Sequence, residues 1–201
     1  MNNVTLTSST LSIVTGQNPF SNRFAILTKL LKQHKIIGNK PMNYPIQKDT
    51  KSIQNCTLGI KNESQILNEW CNSNNINAKK PDLKKKKLFE LNNSWILSGI
   101  PDALTDTDEL VEIKHRSKYV FDQIPIYDFI QIQSYLQLYD VKICHYIQCY
   151  DGNLYSEKIY RDDSYWILHI LPKILEFATL YEKISEDSHE LEKIMYFNSL
   201  K

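Results

Sequence analysis

The chain has 201 residues, of which 42% are hydrophobic and 23% are charged, and its formal net charge at pH 7 is +1. This length suits one domain with a substantial core, so we expect residues 1–201 to form a single domain. The near-neutral charge excludes a globally basic surface, so any basic contact must be a local patch. The four cysteines show no Cys-x-x-Cys spacing, and no apolar run approaches the ~20 residues of a membrane span. We therefore expect an intracellular, cytoplasmic protein with reduced thiols and no membrane partner.

The N-terminal third is predicted to be helical after a polar start. Residues 1–10 are rich in Thr and Ser and are expected to be frayed. A helix is predicted over residues 23–34, capped by Ser21 or Asn22, because apolar residues follow at helical spacing. A second helix is predicted over residues 57–71.

A lysine-rich segment, residues 79–87, precedes the apolar run Trp95–Ile100. Its lysines fit a phosphate-binding patch and fit a solvated loop or strand edge equally well. The sequence leaves both interpretations open.

A hairpin is predicted around residues 95–115. The polar run 105–109 has the short Asp and Thr side chains of a turn, and residues 110–115 form the strand after it. Strand side chains alternate with period two, so Glu112 and Lys114 share one face. The hairpin can therefore bring Asp102 beside Glu112, with an ammonium group next to them.

Two carboxylates in such a position repel each other unless a cation lies between them. Ligation by oxygen alone suits Mg²⁺ or Mn²⁺, and Lys114 would then stabilise charge on a phosphate or act on the attacking water. The alternative is a surface hairpin with a Glu-x-Lys pair, an interaction worth under ~1 kcal/mol.

The C-terminal half is predicted to alternate helices and strands. The expected elements are a helix over 127–139, strands over 143–150 and 154–160, a helix over 165–184 capped by Ser164 and interrupted by Pro172, and a tail helix within 185–201. The fold class is therefore α/β (α+β), with a central hairpin-containing mixed sheet flanked by helices.

Four stretches, in chain order, resemble motifs of one nuclease group. They are Gly16-Gln-Asn-Pro-Phe-Ser; Gly59-Ile-Lys-Asn-Glu63; Ser98-Gly-Ile-Pro-Asp-Ala-Leu with Val111-Glu-Ile-Lys; and Ile124-Pro, Tyr127 and Gln131-Ile-Gln133. The set is similar to the lambda-exonuclease / YqaJ-type viral recombinase group of PD-(D/E)xK nucleases. This resemblance implies a restriction-endonuclease-like core and a Mg²⁺-dependent DNA nuclease, with Mn²⁺ able to substitute.

The resemblance also implies roles for individual residues. By this resemblance, the metal ligands are Asp102, Glu112 and the carbonyl of Ile113, and the catalytic lysine is Lys114. Glu63 would reach the metal or its water. Gln131 would hold the water or the lysine, whereas Gln133 is expected to point elsewhere. The residues expected to contact DNA are Arg23, Lys84, Lys85, Lys86, Lys87, His115 and Arg116, although His115 lies off the catalytic face and fits a structural role as well.

By the same resemblance, we expect a 5′→3′ double-strand exonuclease of viral or phage recombination, acting in the host cell if viral. Its partners would be DNA, a single-strand annealing protein and further copies of the chain in a trimer. Relatives often carry an arginine that meets a 5′-phosphate before the first motif, but residues 1–10 have no basic residue, and Arg23 and Lys29 could substitute. A structure-specific endonuclease of the same fold and a non-catalytic recombination partner remain alternatives.

Overall fold

The computed structural model describes residues 3–34, 36–37, 63–82, 84–90 and 94–199. The strands are β1 (Val4–Thr7), β2 (Ala78–Lys79), β3 (Lys85–Glu90), β4 (Ser94–Gly99), β5 (Ala103–Thr105), β6 (Leu110–His115), β7 (Ile143–Tyr150) and β8 (Asn153–Tyr160). The helices are α1 (Leu11–Val14), α2 (Arg23–Gln33), α3 (described over 63–74), α4 (Ile126–Tyr139), α5 (Asp163–Tyr165), α6 (Leu171–Glu186) and α7 (Ser188–Ser199). Within the described ranges, no helix combines the length and apolarity needed to span a membrane.

The strands form two sheets in the described part of the chain. The larger has the order β2-β5-β6-β7-β8, in which β6 and β7 are parallel and the other neighbours antiparallel. The smaller has the order β1-β4-β3. The predicted fold class, a mixed sheet with helices on its flanks, is confirmed.

The hairpin differs from the expected one in its first strand. We expected the run Trp95–Ile100 to pair with residues 110–115, but that run forms β4 in the smaller sheet, and β5 pairs with β6 instead. Pro101 explains the break, because proline has no N–H to donate and cannot continue a ladder. The turn between β5 and β6 lies where it was predicted, with the Asp108 N–H donating to the Thr105 carbonyl.

The expectation that residues 1–10 are frayed is wrong for the strand β1. Val4–Thr7 pairs in parallel with β4, with Val4 opposite Trp95 and Leu6 opposite Leu97, and both apolar side chains are buried. Val and Leu alternate with two threonines, which is a strand pattern of period two, and β-branched Thr favours strands.

The other predicted elements are close to the observed ones. Asn22 caps α2, its side chain accepting from the Ala25 N–H, while α3 continues beyond Cys71 to residue 74. Helix α4 and strands β7 and β8 begin or end within one residue of their predicted bounds. The turn between β7 and β8 has positive φ at Asp151 and Gly152, as a two-residue hairpin requires.

The C-terminal helix is capped by Asp162 and not by Ser164. The Asp162 side chain accepts from the Tyr165 N–H at 2.8 Å. A π-helical segment, Trp166–Ile170, then separates α5 from α6, and Pro172 lies in the first turn of α6. Proline is tolerated there because a first-turn N–H needs no helical partner. Helix α7 follows, in agreement with the predicted tail helix.

Candidate active site

Asp102 continues the ladder between β5 and β6 with its side chain. The backbone ladder pairs Ala103 with Val111, and the next N–H on this edge of β6, that of Ile113, donates to Asp102 Oδ2 at 2.7 Å. Burial raises the pKa of Asp102, and the Ile113 N–H and the Lys114 charge oppose that shift. Since the N–H and C=O of one strand residue point to the same side, the Ile113 carbonyl also lies on the Asp102 side of β6.

Glu112 is a buried carboxylate with one free oxygen. Its Oε1 accepts from Lys114 Nζ at 2.8 Å, whereas Oε2 has no hydrogen-bond partner among the described residues. Burial raises its pKa to about 7; the Lys114 charge lowers it and the Asp102 charge adds to the increase. An unpaired buried carboxylate oxygen is costly, so this atom is the strongest sign of a missing ligand.

Lys114 is held by three oxygens from two elements. Besides Glu112, its Nζ donates to Gln131 Oε1 at 2.9 Å and lies 3.6 Å from Asp128 Oδ1. Burial disfavours the charged form, but the charges of Glu112 and Asp128 outweigh it and raise the pKa of Lys114. The side chain is therefore a fixed cation.

Gln131 reaches the site from α4, and Gln133 does not. The amide of Gln131 accepts from Lys114 and donates from Nε2 to the Tyr135 hydroxyl at 3.0 Å, which fixes its orientation. Gln133 bonds the Tyr160 carbonyl at 2.9 Å and the Asp162 N–H at 2.8 Å. It thus ties α4 to the end of β8, away from Lys114.

Asp128 is a site residue that sequence reasoning missed. It is buried, and it accepts from Arg116 at 2.6 Å and from the Tyr146 hydroxyl at 2.9 Å. Its position three residues before Gln131 places both side chains on one helix face, and this spacing was the available signal. Asp128 links the lysine to a second, inward-facing cation.

That cation is Arg116, which we expected to contact DNA. Its guanidinium also bonds Gln148 Oε1 at 3.0 Å and Tyr146, and it lies 4.8 Å from the centre of the Phe121 ring. With its side chain only 12% exposed, Arg116 is paired with Asp128 inside the protein, and its contact with DNA stays a prediction.

Glu63 is the first described residue of α3, and Gly59 of the same motif lies outside the described residues. Burial and the Asp102 charge raise the pKa of Glu63, while Lys80 and Lys114 lower it, so Glu63 lies in the electrostatic reach of the site. Among the described residues, however, no three His, Cys, Asp or Glu side chains group closely enough to hold a metal ion together. Asp102 and Glu112 lie close enough for the Asp102 charge to raise the pKa of Glu112.

The remaining residues expected to contact DNA lie around this centre with different freedom. Lys84, Lys85 and Lys87 are exposed at or on β3, with Lys86 between them in the same strand. His115 is exposed at the end of β6. Arg23 is not free, because its guanidinium donates to Glu176 on α6 at 2.7 Å.

The donor atoms fit a hard divalent cation. They are the Asp102 carboxylate, Glu112 Oε2 and the Ile113 carbonyl, all oxygen atoms at or next to β6. Mg²⁺ and Mn²⁺ prefer such ligands and keep waters in their other positions. A cation here would satisfy the oxygen that the protein leaves unpaired.

Asp102, Glu112 and Lys114 thus come together around β6 of a mixed sheet that is flanked by helices. Solved structures with the same fold include exonucleases. An alkaline exonuclease from Laribacter hongkongensis matches at 16% identity over 90% of each chain, with a TM-score of 0.64. The complex of that exonuclease with dAMP matches at 16% identity over 90% of this chain and 89% of that chain, with a TM-score of 0.65.

A phage-related exonuclease from Haemophilus somnus matches at 14% identity over 92% of this chain and 94% of that chain, with a TM-score of 0.54. At these identities the likeness establishes the shared fold. No protein-family model and no curated protein matches the sequence.

Proposed function

We propose that the protein is a divalent-metal-dependent DNA nuclease that hydrolyses phosphodiester bonds. The observation that carries the proposal is the free, buried Oε2 of Glu112, which lies beside Asp102 and on the carboxylate already bonded to Lys114. A binding-only protein gains nothing from two buried carboxylates that repel each other. The exonucleases among the structural neighbours support a nuclease.

Asp102, Glu112 and the Ile113 carbonyl would hold Mg²⁺ or Mn²⁺, which would supply Lewis-acid polarisation of a phosphate oxygen. Water attacks the phosphorus, the bond to the leaving oxygen breaks, and negative charge accumulates on the phosphate. Lys114 stabilises that charge as a preorganised cation, and Gln131 with Asp128 keeps its ammonium in place. Glu63, near Asp102, completes the acidic side of the site.

A small pocket favours an exonuclease over an endonuclease. It has a volume of about 220 Å³ and is lined by Thr7, Ser8, Ser9, Lys84, Gly99, Ile100 and Tyr135; the last of these bonds Gln131. Three hydroxyl side chains with a lysine suit a terminal phosphate. Lys84 would thereby supply the charge that residues 1–10 lack.

Gly99 lines this pocket at a position where a larger residue would collide with two of its neighbours. A Cβ atom there would lie 2.4 Å from Ser8 Oγ and 2.5 Å from a Tyr135 ring carbon. Glycine therefore lets β4 approach both side chains. We include a role in viral or phage DNA recombination, an annealing-protein partner and a trimeric assembly in the proposal by resemblance alone.

The test is cleavage of an end-labelled linear duplex and a covalently closed circle, each with Mg²⁺, with Mn²⁺ and with EDTA. An exonuclease degrades the linear duplex only, and cleavage of the circle would establish the endonuclease alternative. Asp102→Asn is the matched control: it keeps the side-chain shape and the bond to the Ile113 N–H but removes the charge, so it should lose cleavage by orders of magnitude. No cleavage of either substrate by the wild-type protein in the presence of metal would leave the non-catalytic partner as the better reading.

A further inference from the structure

Two aromatic side chains are displayed to solvent beside the candidate active site. Phe20 is 80% exposed and Tyr119 is 57% exposed. Burying a large apolar ring is favourable, so a ring left in water at the rim of a site commonly serves contact with a ligand. Neither ring is used by the chemistry proposed above.

Phe20 contacts the first turn of α4, which also carries a residue close to Lys114. The Phe20 and Tyr127 rings meet edge to face, with centroids 5.7 Å apart. Tyr127 immediately precedes Asp128 at the start of α4, and Asp128 lies 3.6 Å from Lys114 Nζ. Phe20 therefore packs on the residue that precedes Asp128, and Asp128 is the carboxylate close to Lys114.

Tyr119 belongs to the same neighbourhood. Its ring packs on Phe121 with centroids 5.0 Å apart, and Phe121 carries the Arg116 guanidinium on its face. Burial raises the pKa of Tyr127, and the charges of Asp128 and Tyr119 add to the increase. Phe20 and Tyr119 therefore approach Tyr127 from two different segments of the chain.

Both rings stand on fixed turns, not on loose loops. The Asn18 side chain accepts from the N–H groups of Phe20 and Ser21 and donates to Ser12 at 3.0 Å. The segment that carries Tyr119 is held by Gln148, which exchanges two hydrogen bonds with the Phe121 backbone at 3.1 and 2.9 Å. A backbone held in this way presents the two rings at fixed positions, so little backbone entropy remains to be lost on binding.

We propose that Phe20 and Tyr119 form a stacking platform for unpaired nucleobases next to the phosphate being cleaved. This inference rests on the proposed nuclease function. It names the part of the substrate that would lie beside the site: a single strand with exposed base faces. Every base offers a π-face, so such contacts are tolerant of sequence. Exposed Lys118 and His115 on the adjoining segment favour a nucleic-acid strand over an apolar protein segment.

The experiment measures binding of a short single-stranded DNA by fluorescence anisotropy, with Ca²⁺ replacing Mg²⁺ to prevent cleavage. Each strand is prepared twice, with all its bases and with abasic sites at successive positions. For Phe20→Ala and Tyr119→Ala we expect affinity for the complete strand to fall about 5- to 150-fold, the range for loss of one stacked base. The abasic strand should bind the variants and the wild-type protein alike, and the salt dependence should not change because no phosphate contact is lost.

Three controls separate stacking from other effects. Phe20→Trp keeps an aromatic face and should retain affinity, whereas Phe20→Leu keeps only apolar area and should behave like Phe20→Ala. Tyr160→Ala removes an aromatic ring that is 64% exposed on the β8 face opposite buried Ile159, and it should have no effect. Thermal melts should be unchanged throughout, because the altered side chains are exposed.

The outcomes also distinguish this inference from the proposed function. If wild-type protein cleaves and binds DNA but the Phe20 and Tyr119 variants bind normally, the platform is refuted while the nuclease stands, and the rings would then belong to a protein contact. Equal losses with complete and abasic strands would refute stacking too. If the wild-type protein neither binds nor cleaves DNA with any metal, the nuclease proposal fails, and this inference fails with it.

Discussion

Binding of a divalent cation should release protons from the candidate site, and Glu112 determines how many. Burial raises its pKa from the ordinary 4.5 to about 7 in the metal-free protein, yet only the ionised form is a good ligand. With that pKa, the protonated fraction is about 0.9 at pH 6, about 0.5 at pH 7 and about 0.1 at pH 8. We therefore expect close to one proton released per ion at pH 6 and almost none at pH 8.

Isothermal titration calorimetry with Mn²⁺ measures this directly. The binding enthalpy, recorded in several buffers of different ionisation enthalpy, gives the number of protons released at each pH. Asp102, whose pKa burial also raises, adds to the release at the acidic end. Glu109→Gln is a suitable control, because Glu109 pairs with His145 outside the site and its loss should leave the proton count unchanged.

The same shift has a consequence for stability. A carboxyl group whose folded pKa is raised stabilises the folded state below its ordinary pKa, and this contribution is lost as pH rises through the folded pKa. The metal-free protein should therefore become less stable between pH 4.5 and about 7, and Mn²⁺ should cancel part of the loss.

In the calorimetric experiment, a number of released protons that is zero, or equal at pH 6 and pH 8, would refute the assignment of Glu112 as a ligand.

Three further changes test neighbouring parts of the site. Lys114→Ala should leave metal and DNA binding near normal but slow single-turnover cleavage roughly 10²–10³-fold. Lys114→Arg should not restore the cleavage rate fully, because the planar guanidinium places its charge differently from an ammonium. A normal single-turnover rate in the alanine variant would exclude a catalytic role for Lys114. Asp128→Asn leaves the Arg116 charge uncompensated and should cost about 3 kcal/mol or more in urea unfolding; a loss within experimental error would show that the pair is not structural. Neutralising residues 84–87 together should lower the slope of log affinity against log salt by about 0.9 per lost phosphate contact; an unchanged slope would assign these lysines to a solvated strand.

Local pattern was enough to predict most elements and the central residues of the site. Period two along residues 110–115 placed Glu112 and Lys114 on one face, and helical spacing placed Gln131 on α4, without any long-range information. Both deductions depend on residues close together in sequence, where geometry follows from backbone type.

The missed features depend on contacts between distant segments. Asp128 belongs to the site because α4 crosses the parallel pair β6 and β7, which puts it against Arg116 and Tyr146. A parallel pair requires a crossover, so its register cannot be read from either strand alone. Strand β1 was missed although Val4–Thr7 carries a strand pattern of period two, because the partner that stabilises so short a strand, β4, is distant in the chain.

The place of β1 also has a consequence for the order in which the chain can fold. The hydroxyl of Ser8, just after β1, donates to the carbonyl of a residue 90 positions away, so β1 cannot make its native contacts until β4 has been synthesised. The hairpins β5–β6 and β7–β8 join neighbouring segments, so closing their short loops costs little conformational entropy. Pairing of β1 with β4 requires closure of a long loop, which costs more entropy before any contact is gained. Strand β1 should therefore dock late, as a parallel strand added beside β4, and until then other residues must cover the apolar side chains of Trp95 and Leu97.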